Sequence, residues 1–281
     1  MRPILLYLLL LLLSVAAQAQ SEAPRLIVRG DDMGYTHSGN EALIYCYQEG
    51  IETSIEVIVP SPWFPEAVKL LKENPQVDVG VHLALTSEWD NAKWRPLSDC
   101  PSLKDQYGYF YPMVSPNENY PGQSIAENAW TIEDVEREFR AQIETAMDAI
   151  PGISHVSGHV GCSNLNEEVQ TLTETLGEEY GLLVSPDVTY LRGFNGNRKT
   201  PEEKIESLLT MLDTLKAGQT YLFVEHPGFD NEELRAIHHI GYENVAADRQ
   251  GVTDLFTSDK VKAFIKQKGI QLIGYRDLAT P

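Results

Sequence analysis

The chain has 281 residues, with 41 acidic against 22 basic side chains and a formal charge of −19. Such a surface repels nucleic acid and no basic stripe offsets it, so no nucleic-acid partner is expected. A neutral substrate such as a sugar is compatible with that charge, and three cysteines are too few for a disulfide scaffold.

Residues 1–19 read as a secretory signal peptide. Arg2 gives the positive start, Ile4 to Val15 the apolar run, and Ala17-Gln18-Ala19 a small-x-small cleavage site before Gln20. No cysteine follows that site to carry a lipid. No later segment is long and apolar enough to span a bilayer, so no stable membrane anchor is expected after cleavage. The location implied is secreted or periplasmic. About 260 residues remain, which fits one large α/β domain spanning 20–281 as easily as two small ones.

Arg25–Arg29 is an apolar-rich strand that ends on Asp31-Asp32, with Gly34 two residues later. Ser38 with Glu41 predicts a capping box for a helix reaching Glu49. Ser54–Val59 reads as a strand and Phe64–Glu73 as a helix stopped by Asn74-Pro75. Val77–Leu83 is a third strand. From 86 to 130 periodicity fails in a stretch rich in proline, glycine and aromatics, too long for an ordinary connection. Thr131 then caps a helix to Ala149, with Ile132, Val135, Phe139, Ile143 and Met147 at helical spacing. A strand at Ile153–Ser157 follows, then a helix opened by Asn164 with Glu167. Leu182–Ser185 reads as a short strand. Thr200-Pro201-Glu202-Glu203 starts another helix. Thr220–Glu225 is a strand, Ser258–Lys268 a helix and Gln271–Ile273 the last strand.

This alternation predicts a TIM-like (β/α) barrel of parallel strands, with a doubly wound sheet as the competing architecture. The absence of a glycine-rich dinucleotide turn after the first strand favours the barrel.

Two adjacent carboxylates at a strand end repel each other, and a divalent cation relieves that cost while leaving one carboxylate free as a base. His82, His155, His159 and His226 each stand at the end of a strand-like run and could complete such a site. His155 and His159 lie four apart across a strand and a glycine turn, so only one need bind metal while the other orients substrate or a ligand. His37, His238 and His239 lack this context and are assigned no role. Cys162 follows His159 by three residues, but no second cysteine stands at the short spacing of zinc-thiolate sites. Cys46 reads as a buried small hydrophobe. A Cys100–Cys162 bridge remains open in an oxidising compartment. In the 86–130 insertion, Trp89 and Trp94 with Tyr107, Tyr109, Phe110 and Tyr111 either form a platform for sugar rings or pin the insertion to the barrel.

The segment Leu26–Gly34, LIVRGDDMG, resembles the opening motif of the YdjC-type carbohydrate deacetylases. The likeness continues through Glu49–Ser54, Val79–Leu83, His155–His159, Glu225–Gly228, Asp248-Arg249 and Lys268–Ile270. It implies a distorted barrel and one divalent metal, Mg2+ or Zn2+, held by Asp32, His82 and His159. Asp31 would be the general base and His226 the general acid in removing an N-acetyl group from an amino sugar or chitooligosaccharide-like substrate. His155, Trp89, Trp94 and Arg249 are the expected substrate contacts. Where the family has asparagine-alanine before the two aspartates, this chain has Arg29-Gly30, and Arg29 reads either as a pocket cation or, slightly favoured, as an outward-facing strand residue. Ser157-Gly158 and Gly161 also depart from the family pattern. A hydrolase of a phosphoester or glycosidic bond, and an inactive sugar-binding protein, are the competing functions. A homodimer is the one protein partner left open.

Overall fold

The computed structural model describes residues 23–192 and 199–278, so the expected signal peptide lies outside the described residues. The chain builds β1 (Arg25–Met33), α1 (His37–Glu49), β2 (Ser54–Val57), α2 (Phe64–Glu73), β3 (Asp78–Leu83), α3 (Ile132–Ala149), β4 (Ile153–Gly158) and α4 (Glu167–Tyr180). It continues through β5 (Thr189–Tyr190), α5 (Pro201–Leu212), β6 (Thr220–Glu225), α6 (Glu232–Arg235), α7 (Val245–Thr257), α8 (Asp259–Lys268) and β7 (Gln271–Leu272). All strand pairs are parallel, in the order β4-β3-β2-β1-β6-β5, and β7 pairs with the first two residues of β1.

The sheet curls into a distorted barrel whose edge strands, β4 and β5, do not pair with each other. One connection spans that gap. Leu183 bridges to His155 on β4, and Thr189–Tyr190 then joins β6. The expected strand at Leu182–Ser185 is therefore a single bridge, because Ser185 adopts a left-handed φ of 51° that ends the extension.

Apolar strand residues face outward to the helices. Leu26, Val28 and Phe223 pack with Cys46, Leu208, Leu255 and Phe256. The interior is partly polar, with Arg29, Glu56 and His155 buried beside Gly80. That glycine makes room: a Cβ there would lie 2.7 Å from the Glu56 carboxylate oxygens and would collide with the His155 ring.

Two caps fall two residues from their expected places. Thr36 caps α1, accepting from the Gly39 amide, while the Ser38 hydroxyl donates to the Phe229 carbonyl. Asn166 caps α4, because residues 159–164 form a tight turn with left-handed Val160 and Gly161. Thr131 and Thr200 cap their helices as expected. Helix α7 has no counterpart in the sequence reading. Gly251 interrupts its pattern, and Lys204 fills the space there, 2.9 Å from where a Cβ would stand. All three cysteines are buried free thiols, so the Cys100–Cys162 bridge is not formed.

The insertion is tied to α3 by carboxylates. Glu138, fully buried, accepts from the amides of Leu97 and Ser98, the Ser98 hydroxyl and the Gln142 side chain, at 2.7–3.1 Å. Asp134 accepts from the amide and hydroxyl of Ser102. Glu138→Ala removes the shared acceptor of two amides and a hydroxyl and leaves the buried Gln142 amide without it, so a loss of about 2–4 kcal/mol is expected. Limited proteolysis should cut first between 86 and 130 in this variant. An unchanged denaturant midpoint and cleavage pattern would remove Glu138 as the anchor.

Candidate metal centre and active site

Consecutive strand residues normally point to opposite faces. At the end of β1 they do not, because a bulge intervenes: Gly30 pairs with Ile55, but Met33 pairs with Val57. Asp32 takes the extra position at φ 73°, a left-handed conformation uncommon for aspartate. Both carboxylates consequently turn into one pocket, and each places an oxygen 3.6 Å from His82 Nε2.

Each carboxylate has its own arginine. Arg29 donates from Nε and Nη2 to the two oxygens of Asp31, at 2.7 and 2.9 Å. It therefore points inward, correcting the outward placement read from the sequence: the carboxylate two residues on draws the guanidinium inside. Arg249, on α7, donates from Nη2 to Asp32 Oδ2 at 2.8 Å. Burial by itself would raise the pKa of Asp32, but His226, Arg249 and His159 hold it well below the usual carboxylate range.

The ligand atoms of Asp32, His82 and His159 lie within 4.8 Å of one another, and all three side chains are buried. Asp32 Oδ1 is buried with no hydrogen-bond partner, 3.2 Å from His159 Nδ1 and 3.6 Å from His82 Nε2. An orphaned carboxylate oxygen facing two imidazole nitrogens fits a divalent cation. The hydrogen bonds fix which nitrogens face inward. Ser157 donates to Glu56 at 2.6 Å, so its oxygen accepts from His82 Nδ1 at 2.6 Å and leaves Nε2 as a lone pair. His159 donates from Nε2 to Glu88 at 2.9 Å, which frees Nδ1.

Electrostatics separates the two imidazoles. Burial lowers the pKa of His82, which favours the neutral form a metal needs, and the nearby Asp31 charge only partly opposes it. Burial would also lower that of His159, but Glu88 and Asp32 on either side raise it to about 10. The place between those carboxylates calls for positive charge.

His226 stands at the rim, its Nε2 3.9 Å from Asp32 Oδ2. Desolvation would lower its pKa, yet Asp32 and Glu225 raise it. The pocket, about 560 Å³, is also lined by Trp89, His239, Tyr242 and Arg249. The Arg249 guanidinium lies over the Tyr35 and Trp89 rings at 4.5 and 5.3 Å, and its Nε and Nη1 have no hydrogen-bond partner.

Two expected substrate contacts do not reach this pocket. His155 lies inside the barrel, its ring stacked on Tyr275 at 3.6 Å and its Nε2 2.5 Å from Glu56. As the third residue of β4, it points into the barrel well below the strand's end. Trp94 packs in the core with its ring 6.3 Å from that of His159, so it supports the turn from behind. His239, assigned no role from sequence, is on the wall with its ring 5.6 Å from that of Trp89. Glu56 and Glu88 also went unnoticed. Glu56 is the third residue of a short β-rich run, and Glu88 opens an irregular insertion, so neither carried a local signal.

A YdjC-like protein family model matches residues 25–267. A carbohydrate deacetylase of Enterococcus faecalis is 29% identical, with 91% of this chain and 98% of the relative covered. One from Geobacillus stearothermophilus is 26% identical, covering 89% and 96%. A crystal structure described as a cellobiose-phosphate cleavage protein from Enterococcus faecalis superposes with a TM-score of 0.75 at 26% identity, over 92% of this chain and all of that one. With the matched span running from the start of β1 into α8, the chain belongs to the YdjC-like family.

Proposed function

We propose that the protein is a metal-dependent carbohydrate deacetylase that hydrolyses the N-acetyl group of an amino sugar, in a chitooligosaccharide-like substrate. The observation carrying this reading is the buried Asp32–His82–His159 cluster with an unpartnered Asp32 oxygen and a second carboxylate, Asp31, beside it. The names of the related deacetylases support the substrate class. The residue 1–19 pattern supports export to a secreted or periplasmic location.

An amide is a poor electrophile with a poor leaving group, so its hydrolysis needs an activated water, a polarised carbonyl and a proton for the departing nitrogen. A divalent cation, Mg2+ or Zn2+, held by Asp32, His82 and His159 supplies Lewis-acid polarisation. Asp31 accepts the water proton, and Arg29 fixes the plane of its carboxylate. His226 delivers a proton to the amine, its raised pKa keeping the imidazolium populated nearer neutrality. Arg249, bound to Asp32 and seated over the Tyr35 and Trp89 rings, keeps a fixed positive charge on the pocket wall, while Trp89, with His239 and Tyr242, offers apolar ring faces to the sugar.

Acetate release from N-acetylated oligosaccharides should require metal and stop with a chelator. Asp32→Ala, His82→Ala and His159→Ala should each lose bound metal and activity together while staying folded, as metal analysis and circular dichroism would read. Full metal occupancy in any one of them would strike that residue from the ligand set.

The residues behind the ligands should matter less, but measurably. Ser157→Ala and Glu88→Ala release His82 Nδ1 and His159 Nε2 from their acceptors, so each should weaken metal affinity by about 10–100-fold. Unaltered affinity by competition with a chelating dye would show that those imidazoles are held by packing alone.

Asp31→Asn separates base from ligand. The amide is nearly isosteric but cannot take a proton at neutral pH, so kcat should fall by about 10²–10⁴ with metal retained. Near-wild-type kcat with metal bound would transfer the base role to another group.

A further inference from the structure

A second cavity of about 240 Å³ opens in the seam between β4 and β5, where the barrel is not closed by strand pairing. Below it the wall is sealed, because Leu183 exchanges backbone hydrogen bonds with Ser154 and Val156. Above Leu183 the chain is held off β4 by the left-handed Ser185 and by Pro186, and the gap between that turn and Ser157–Gly158 is the cavity. A non-glycine residue at positive φ that lines a cavity is backbone strain kept where the fold could have closed.

The lining points to the ligand class. Arg29 is its one charged member among the described residues, and that charge is spent: Asp31 takes Nε and Nη2, while Tyr275 accepts from Nη1 at 3.1 Å. Ser163, Asn164, Gln170 and Ser185 offer hydroxyl and amide groups, and the half-exposed ring of Tyr190 stands at the edge with the Arg192 guanidinium 5.5 Å from its centre. Within the lining itself no charge is free to hold an ion, and so many hydroxyls and amides suit no lipid. Uncharged hydrogen-bonding groups beside an aromatic ring match a neutral polyol, and the volume admits one ring rather than a chain.

We infer that this seam is a second carbohydrate site, binding a single neutral sugar unit outside the metal pocket. The two cavities meet at Gly158, which lines both, and the tight turn from His159 to Asn164 separates them. The seam ligand is therefore either a further unit of the glycan in the metal pocket or a separate sugar, and it rests on the same turn that presents His159.

The test is calorimetric titration of the metal-loaded full chain with glucose, which carries no amide for the metal pocket, beside inorganic phosphate. Gln170→Leu and Tyr190→Ala change exposed side chains and should each weaken glucose binding by about tenfold, while His82→Ala should leave it intact. KM for acetate release separates the two sources. A Tyr190→Ala rise confined to longer oligomers marks a unit of the same glycan, and unchanged KM at every length marks a separate sugar. Absence of glucose binding, binding lost in His82→Ala but kept in both seam variants, or phosphate binding tighter than glucose would each overturn the proposal. None of these results depends on whether the metal pocket releases acetate.

Discussion

The whole site hangs on one irregularity, the bulge that lets Asp31 and Asp32 face the same way. In a regular strand one of them would turn out toward α1, into the apolar layer around Leu43, where a lone carboxylate has no partner. With both turned inward the repulsion between them must be met, and the two arginines meet it from opposite sides. Arg29 comes from the same strand, two residues before Asp31, while Arg249 arrives from α7, 217 residues after Asp32. One clamp is thus local and the other closes the fold, so the second forms only when α7 has docked. A mismatch in that docking would leave Asp32 buried and uncompensated, which costs more than the loss of an exposed ion pair.

Behind the ligands runs a chain of polar groups that apolar packing would ordinarily have replaced. Asp78 accepts from Ser154, whose hydroxyl is 2.7 Å from His155 Nδ1; His155 meets Glu56, Glu56 accepts from Ser157, and Ser157 accepts from His82. Glu56 stays ionised in this interior because His155 and Arg29 outweigh its burial. Such a network orients one imidazole tautomer, because Ser157 is fixed as donor to Glu56 and so must accept from His82. That explains the polar interior of this barrel, and why Gly80 is needed to make room for it.

What the sequence discloses follows from how local its signals are. The strands, most helices and the aspartates and histidines that gather at the candidate centre were legible, since each sits in a short run with its own pattern: LIVRGDD, VGVHL, FVEHPG. The inward turn of Arg29 follows from strand alternation, which sets it on the face of Asp31 two residues on, whereas the inward turn of Asp32 was not legible, because it depends on a bulge that only the β1–β2 register reveals. Helix α7 was hidden by Gly251, a residue unfavourable within a helix but required by Lys204 packing against it. Glu138 holds Ser98 from 40 residues away, Glu88 meets His159 over 71 and Glu56 meets Ser157 over 101, and pairings of that reach leave no periodicity to read. Helix starts were off by two residues at α1 and α4 because nearby serine and asparagine side chains are equally good caps, and tertiary contacts chose between them.

Charge gives the last constraint. The chain carries −19, and the pocket adds Asp31, Asp32, Glu88, Glu225 and Asp248 to its walls. Every buried cation near the site is already engaged: Arg29 by Asp31, Arg249 by Asp32, and Lys204 by Asp248 at 2.5 Å. An anionic substrate would meet carboxylates at the rim before reaching Arg249, which Asp32 already holds, whereas a neutral sugar has no such barrier to cross. The same excess of acid favours a divalent cation at Asp32, and it suits a product amine, which gains a proton as it leaves. Acidity that looks like a bulk property of the surface thus acts at the site as selection for the charge of what enters, binds and departs.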